Sequence, residues 1–477
     1  MKYIKMKHLL VAAALLCTAT MQADVKLPKI FSDGMVMQQQ TKANLWGTAT
    51  AGKNVVVTTG WNKKKYTVKA DADGKWSLAI ETPEAGGPYT ITLSDGKTTT
   101  INNVLIGELW LCSGQSNMEM PMKGFKGQPV ENANTDALQS TNPNLRLFTV
   151  KRNSSFTPKD DVEGSWEQAE AKSVREFSAT AYYFGRMLQR QLNVPVGLVV
   201  AAWGGSACEA WMQADWLRAF PDAKIPQSPE EITSKNRTPT VLYNGMLHPL
   251  IGMTIKGVIW YQGEDNYNRA STYSDMFTAL VNGWRAEWKQ GNFPFYYCQI
   301  APWDYAALAE AGQKPINSAF LREQQSIAEK KIENTGMVVL MDVGSEKCIH
   351  PTKKIVGGER LARLALVKSY GLEGVTAESP RYKGIEIKND TVVVSFERAQ
   401  MWLNAKDKYA SQLFKVAGED HVFHPAKAWI ERSKVYVKSD SVAAPVAVRY
   451  AFENYVVGDL YCEDLPVPSF RSDDWEE

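Results

Sequence analysis

Leu109-Trp110-Leu111-Cys112-Ser113-Gly114-Gln115-Ser116-Asn117-Met118-Glu119-Met120 decides how the rest of the chain is read. The apolar run from 104 to 112 predicts a buried strand. Ser113-Gly114 is a turn signal that ends it. Ser116 then lies just past the strand, ahead of any following helix. Open α/β sheets gather their ligands at this carboxyl edge, so an exposed hydroxyl there is a candidate nucleophile. The plainer alternative is a polar turn between a strand and a helix. The remainder of the chain decides between the two.

Downstream of this stretch, strands and helices alternate from about 104 to 370. Apolar runs at 144–150, 196–202, 255–261, 293–300 and 337–341 predict strands. Amphipathic segments at 178–192, 273–289, 320–331 and 355–370 predict helices. That alternation predicts a parallel sheet covered on both faces. Upstream, residues 24–103 carry short β-branched and aromatic runs separated by Ala51-Gly52-Lys53, Asp73-Gly74-Lys75, Gly86-Gly87-Pro88 and Asp95-Gly96-Lys97. Their spacing predicts a small β-sandwich. β character returns from 371 to 477, with candidate strands at 391–396, 434–437 and 445–450. The expected organisation is therefore an α/β domain flanked by N- and C-terminal β-domains.

The chain has 477 residues, 44% of them hydrophobic and 22% charged, which is a folded-protein composition. A net charge of +2 offers no signature of a nucleic-acid partner. Lys2, Lys5 and Lys7 precede the apolar run 9–16, and Ala23 follows. This pattern predicts a signal peptide over residues 1–23 and a periplasmic or extracellular address. The run is too short to span a bilayer, and no other membrane span is expected. Leu16 argues against lipid attachment at Cys17. The five remaining cysteines, Cys112, Cys208, Cys298, Cys348 and Cys462, are scattered and read as small buried hydrophobes. Among the histidines, His248, His421 and His424 read as structural or surface residues, and none belongs to a metal-ligand cluster. Oligomeric state is not encoded in any motif.

A parallel sheet brings the strand ends to one rim. Those ends carry Ser116, then Trp203-Gly204-Gly205-Ser206, then Gln262-Gly263-Glu264-Asp265-Asn266, and last His350-Pro351. Together they supply the parts for acyl transfer: a hydroxyl, a base and donors for an oxyanion. Serine needs a base to take its proton, and imidazole suits that task near neutrality. The N–H groups of Ser116 and Gly205, and the side-chain amide of Gln262 or Asn266, are candidate oxyanion donors. Glu264 and Asp265 are adjacent and point apart, which fits a glycosidase acid pair poorly. Glu264 is expected to brace Gln262 or its loop. Trp203, Trp260 and Trp303 are candidates for stacking on a sugar or for core packing.

Gly114-Gln115-Ser116-Asn117-Met118, Trp260-Tyr261-Gln262-Gly263-Glu264-x-Asn266 and Ile349-His350-Pro351 resemble the SGNH hydrolases, and within them the sialate O-acetylesterase-like branch of carbohydrate esterases. Phe31-Ser32-Asp33-Gly34-Met35-Val36-Met37-Gln38, Trp203-Gly204-Gly205 and Ser469-Phe470-Arg471-Ser472-Asp473-Asp474-Trp475 extend the resemblance over nearly the whole mature chain. It implies a flavodoxin-like three-layer α/β/α domain and hydrolysis of O-acetyl groups on sugars, without metal or organic cofactor. Ser116 would be the nucleophile and His350 the base. The substrate implied is an O-acetylated sugar or glycan, sialic acid first and acetylated xylan or pectin as the main rivals. A carbohydrate-binding protein without catalysis on the same scaffold is the alternative of a different class. Many members carry an aspartate two residues before the histidine, where this chain has Cys348. The expected substitutes are a Ser–His dyad, Glu346, or a backbone carbonyl as the group orienting the ring. Arg322, in another segment similar to the family, is a candidate for meeting a sugar carboxylate.

Overall fold

The computed structural model describes residues 24–309, 312–406 and 410–475. The signal-peptide reading concerns residues 1–23 and lies outside them.

The central sheet is built on β1 (Thr98–Gly114). In chain order the other strands are β2 (Asn142–Thr149), β3 (Trp166–Ala169), β4 (Val196–Ala202), β5 (Gly257–Tyr261), β6 (Phe295–Cys298) and β7 (Thr335–Val338). Across the sheet they run β7-β6-β5-β1-β4-β2-β3. Every neighbouring pair is parallel except β2 and β3. The chain works outward on one side of β1, returns, and then builds the other side. The carboxyl end of β1 is therefore flanked by strands whose connections leave in opposite directions, the place where such sheets leave a crevice.

Alternation along the strands sorts their side chains onto two faces. Trp110 and Cys112 pack with Leu198, Ile259 and Tyr296 against α2 (Ala179–Leu192) and α5 (Lys354–Tyr370). Leu109, Leu111, Val258 and Trp260 pack on the other face against α3 (Tyr273–Trp288) and α4 (Ala319–Lys331). The Ser178 hydroxyl caps α2 by accepting from the Ala181 N–H at 3.0 Å. Such a cap contributes about 1 kcal/mol. α1 (Ser116–Glu119) is the single turn that follows β1. Three layers result, as the strand–helix alternation predicts, and no helix among the described residues is long and apolar enough to cross a membrane.

β1 also differs from expectation. It starts at Thr98 and runs without a break to Gly114. Its first half pairs antiparallel with the strand Gly86–Ser94, and its second half pairs parallel with β4 and β5. Position 103/104, read from composition as a boundary, lies inside this strand. Glu108 sits buried in its middle, where it accepts from Gln38, Gln39 and Tyr370. The charge is tolerated because every donor it needs is supplied by packed neighbours. The C-terminal residues form small antiparallel sheets, the largest comprising Arg381–Lys388, Thr391–Glu397, Lys434–Lys438, Lys427–Glu431 and Ala410–Ser411. They are fastened to the back of the α/β unit by Arg381 on Glu329 and Arg471 on Glu323.

Candidate active site

The turn after β1 depends on glycine. Gly114 has φ +137, and a Cβ there would lie 2.1 Å from the Tyr261 carbonyl oxygen on β5. No side chain fits that approach. Gln115 locks the turn to the next loop: its N–H donates to Tyr261 O at 2.9 Å, and its Oε1 accepts from the N–H groups of Gly263 and Asp265, each at 3.2 Å. Ser116 is then presented half-buried. Among the described residues neither its Oγ nor its N–H is engaged in a hydrogen bond.

The loop after β4 lies against this serine. A Cβ on Gly204 would lie 3.1 Å from Glu119 Oε2 and 3.3 Å from Ser116 Cβ, tighter than side chains ordinarily pack. The Gly204 N–H donates to Glu119 Oε2 at 2.7 Å, and its carbonyl accepts from Asn236 Nδ2 at 2.6 Å. Gly205, at φ +66, turns the chain, and its N–H has no acceptor among the described residues. The Ser116 and Gly205 N–H groups are thus unengaged donors on adjoining loops, the kind of group an oxyanion recruits.

The histidine loop is tied to the serine turn through Asn117. Its Nδ2 donates to Ile349 O at 3.2 Å and to Glu264 Oε1, while its Oδ1 accepts from Lys354 Nζ. His350 Nδ1 meets Gln128 Oε1, and Phe125 packs edge-on to the ring at 5.2 Å between centroids. An amide oxygen only accepts, so Nδ1 carries the proton and Nε2 keeps its lone pair. Burial, and after it the charge of Lys354, push the imidazole down to about 4. It is neutral near pH 7 and chemically able to take a proton. The Ser116 hydroxyl and His350 Nε2 make no hydrogen bond with each other here. Catalytic contacts of this type often tighten only with substrate bound.

Under the site, burial draws the Lys354 ammonium down to about 7, with Glu264 opposing, and raises the Glu264 carboxyl, with the Asn117 amide opposing. Both groups are buried, and Glu264 Oε2 has no partner among the described residues. Of the two expected roles, bracing Gln262 or its own loop, the Glu264 side chain does not take the first: it braces Asn117 and so ties its loop to the serine turn. Asp265 is raised to about 6 by burial, against the pull of Arg237.

Four sequence expectations need correction. Gln262 and Asn266 are both buried, and their amides are engaged inward. Gln262 Nε2 donates to Ser206 O at 3.1 Å and to Asn266 Oδ1 at 2.7 Å. Asn266 Nδ2 donates to Glu209 Oε2 at 2.9 Å, and its Oδ1 also accepts from the Cys208 N–H at 3.0 Å. The two amides hold the glycine loop from beneath instead of reaching an oxyanion. Glu346 is exposed and makes no hydrogen bond to His350; Gln128 takes that place. Cys348, at the family's aspartate position, donates to the backbone oxygen of His350 at 3.3 Å and does not touch the ring nitrogens. Arg322 is 0% exposed. It donates to Ser469 Oγ at 3.0 Å, Ser318 Oγ at 3.3 Å and the carbonyl of Glu453. It fastens the C-terminal region and cannot meet a substrate.

Of the tryptophans, Trp260 is buried in an aromatic cluster with Phe277, Trp284 and Phe295. Trp303 packs against Tyr305. Trp203, half-buried, stands beside the glycine pair with Arg152 over its ring. Gln128 was not singled out in the sequence. It lies in Lys126-Gly127-Gln128-Pro129, a plain turn sequence without periodicity. Lys354 reads as an ordinary first-turn helix residue, and only its burial reveals its place under the site.

Residues 106–366 match the family described as carbohydrate esterase, sialic acid-specific acetylesterase. The chain is similar to the sialate O-acetylesterase of Homo sapiens, 30% identical over 494 residues that cover 92% of this chain and 91% of the human protein. The sialate O-acetylesterase of Rattus norvegicus is 29% identical over 507 residues, 92% of each protein. Among solved structures, a carbohydrate acetylesterase from Xanthomonas citri superposes with a TM-score of 0.85 at 36% identity, covering 94% of this chain and 100% of that one.

Proposed function

The chain belongs to the sialic acid-specific acetylesterase family of carbohydrate esterases, and from that premise we propose that it is a secreted serine esterase that removes O-acetyl groups from sialic acids. It is a carboxylic ester hydrolase acting on O-acetylated sugars. The fold reading that goes with it is an SGNH-type α/β/α domain over 104–370, with β-domains at 24–103 and 371–477. The strand order and the serine at the end of β1 support that reading.

Ser116 Oγ attacks the acetyl carbonyl while His350 Nε2 takes its proton. The negative charge that develops on the carbonyl oxygen is met by the N–H groups of Ser116 and Gly205. Collapse of the tetrahedral species expels the sugar oxygen, which receives the proton from His350. Water then repeats the sequence on the acetyl-enzyme, and acetate leaves. The sugar hydroxyl released needs its proton back, so one imidazole alternates between base and acid.

One observation carries the reading. Among the described residues the serine hydroxyl, two backbone N–H groups and an imidazole nitrogen are all left unengaged on half-buried residues, and Asn117 and Glu119 tie their loops together. The test is acetate release from a panel of O-acetylated sialic acids, acetylated xylan and acetylated pectin. Sialic acids are expected to turn over fastest, with Ser116→Ala lowering release on the order of 10⁴-fold or more. Faster release from xylan or pectin would overturn the substrate assignment. Equal release by wild type and Ser116→Ala would overturn the mechanism.

A further inference from the structure

Two guanidinium groups stand on either side of Trp203-Gly204-Gly205. Arg152 lies in the loop after β2. Its Nε and Nη2 donate to the two oxygens of Glu119 at 2.6 and 2.7 Å, and its guanidinium lies 5.4 Å from the centre of the Trp203 ring. Arg237 contacts Asp265 Oδ1 through Nε and Nη2, each at 2.7 Å. Its Nη2 is 3.8 Å from the position a Gly205 Cβ would take.

Both pairs are oriented alike. The carboxylates face inward, with side chains 17% exposed for Glu119 and 10% for Asp265, while Arg152 is 52% and Arg237 62% exposed. A carboxylate that grips Nε and one Nη fixes the plane of the fork and leaves the other Nη hydrogens pointing away. Among the described residues, Nη1 of neither arginine has an acceptor. Each pair is close to neutral as a unit, so the rim offers oriented donors more than a field.

We infer that Arg152 and Arg237 form a carboxylate-reading rim that selects O-acetylated sugar acids over neutral acetylated sugars. The inference rests on the esterase reading above and deepens it by naming the feature of the substrate that is recognised. The distances suit it. A Cβ on Gly204 would lie 3.3 Å from Ser116 Cβ and one on Gly205 would lie 3.8 Å from Arg237 Nη2; with successive Cα atoms about 3.8 Å apart, guanidinium and serine are within roughly 13 Å of each other. An acidic sugar whose ester and carboxylate lie across the ring or its side chain spans that interval. Charge-assisted hydrogen bonds from an oriented guanidinium to a carboxylate are about twice as strong as neutral ones. Arg322, the arginine the sequence suggested for this contact, is sealed in the interior; these two take its place from loops with no motif.

The experiment compares kcat/KM for an O-acetylated sialic acid with that for the methyl ester of the same compound, which removes the charge and keeps the acetyl group. Wild type is expected to prefer the acid. In Arg237→Gln and Arg152→Gln that preference falls, by roughly tenfold or more for the larger effect, because a hydrogen bond to a charged group is worth about 1.5–3 kcal/mol. Arg237→Lys restores part of it, since a lysine keeps charge but not the fork. A preference unchanged in both variants, or equal losses on acid and methyl ester, overturns the inference. So does a wild type that does not distinguish the two. If Ser116-dependent release is seen only from neutral sugars, the rim reading fails while the serine mechanism stands. If no variant or substrate gives Ser116-dependent release, the esterase reading itself has failed.

Discussion

The turns after β1 and β5 lie side by side, and both carry the polar residues of a recognisable motif. In the first, Ser116 Oγ, the Ser116 N–H and, next door, the Gly205 N–H are unengaged among the described residues. In the second, the amides of Gln262 and Asn266 are taken up by Ser206, Cys208, Glu209 and Tyr273. The first turn is arranged for a partner that arrives from outside. In the second, these two amides are satisfied without one. Residue type alone does not separate a donor for substrate from a strut; the inventory of acceptors around it does.

The largest expected contrast follows directly. Ser116→Ala removes a hydroxyl with no partner, so unfolding stability should change by no more than about 0.5 kcal/mol while acetate release collapses. Asn266→Ala strands the Cys208 N–H and Glu209 Oε2 in the interior and leaves Gln262 Nε2 only its bond to Ser206 O. It should lower stability by about 2 kcal/mol or more, at roughly 1–3 kcal/mol per orphaned buried group. Chemical unfolding of both variants measures this. A destabilised Ser116→Ala with a normally stable Asn266→Ala would reverse the comparison.

A smaller effect separates two candidates for orienting the imidazole. Gln128→Ala should lower kcat roughly ten- to a hundredfold, a share of the ~10²–10⁴ a positioned acid–base group supplies. Glu346→Gln should stay within about twofold, the scale of an exposed group that touches nothing in the site. Steady-state kinetics on one acetyl ester decides it. The inverse ranking would give the histidine back to Glu346.

The smallest effect is a shift along the pH axis. An imidazole must be neutral to act as base. Burial and Lys354 lower His350 to about 4 from an ordinary value near 6.5. The acidic limb of kcat/KM should therefore fall below about pH 5 and not near pH 6.5. Protonation is the disfavoured state in the folded protein, so activity persists into acid. A limb centred near 6.5 would mean that the ring is more solvated than its surroundings imply.

Much of this architecture can be read from residue order. The strand at Val196–Ala202 is an unbroken apolar run, and the helix at Ala179–Leu192 opens on a capping serine. Both patterns are local, and both elements lie where they predict. β1 is longer than the predicted 104–112 because Thr98-Thr99-Thr100 follows a Gly-Lys turn and reads as hairpin; within the predicted part, Glu108 is a polar break whose burial has no local signal. Its donors come from Gln38, Gln39 and Tyr370, far along the chain. β3 has Glu167 and Gln168 at its centre and too few residues to show a period.

The site divides in the same way. Ser116, Gly205 and His350 follow strand ends, so topology marks them. Gln128, Arg152 and Arg237 sit on loops whose only signal is the neighbour they meet in space. Arg322 shows the converse. Its helix has polar residues around it, yet Ser469 and Glu453 close over it from the C-terminal region, and no local pattern foretells that burial.

The most direct test is covalent trapping. A serine-directed organophosphate, mapped by peptide mass spectrometry, should label Ser116 in the wild type, and His350→Ala should abolish or greatly slow that labelling. Rapid labelling of a different serine, or labelling of Ser116 that is indifferent to loss of His350, would contradict the account.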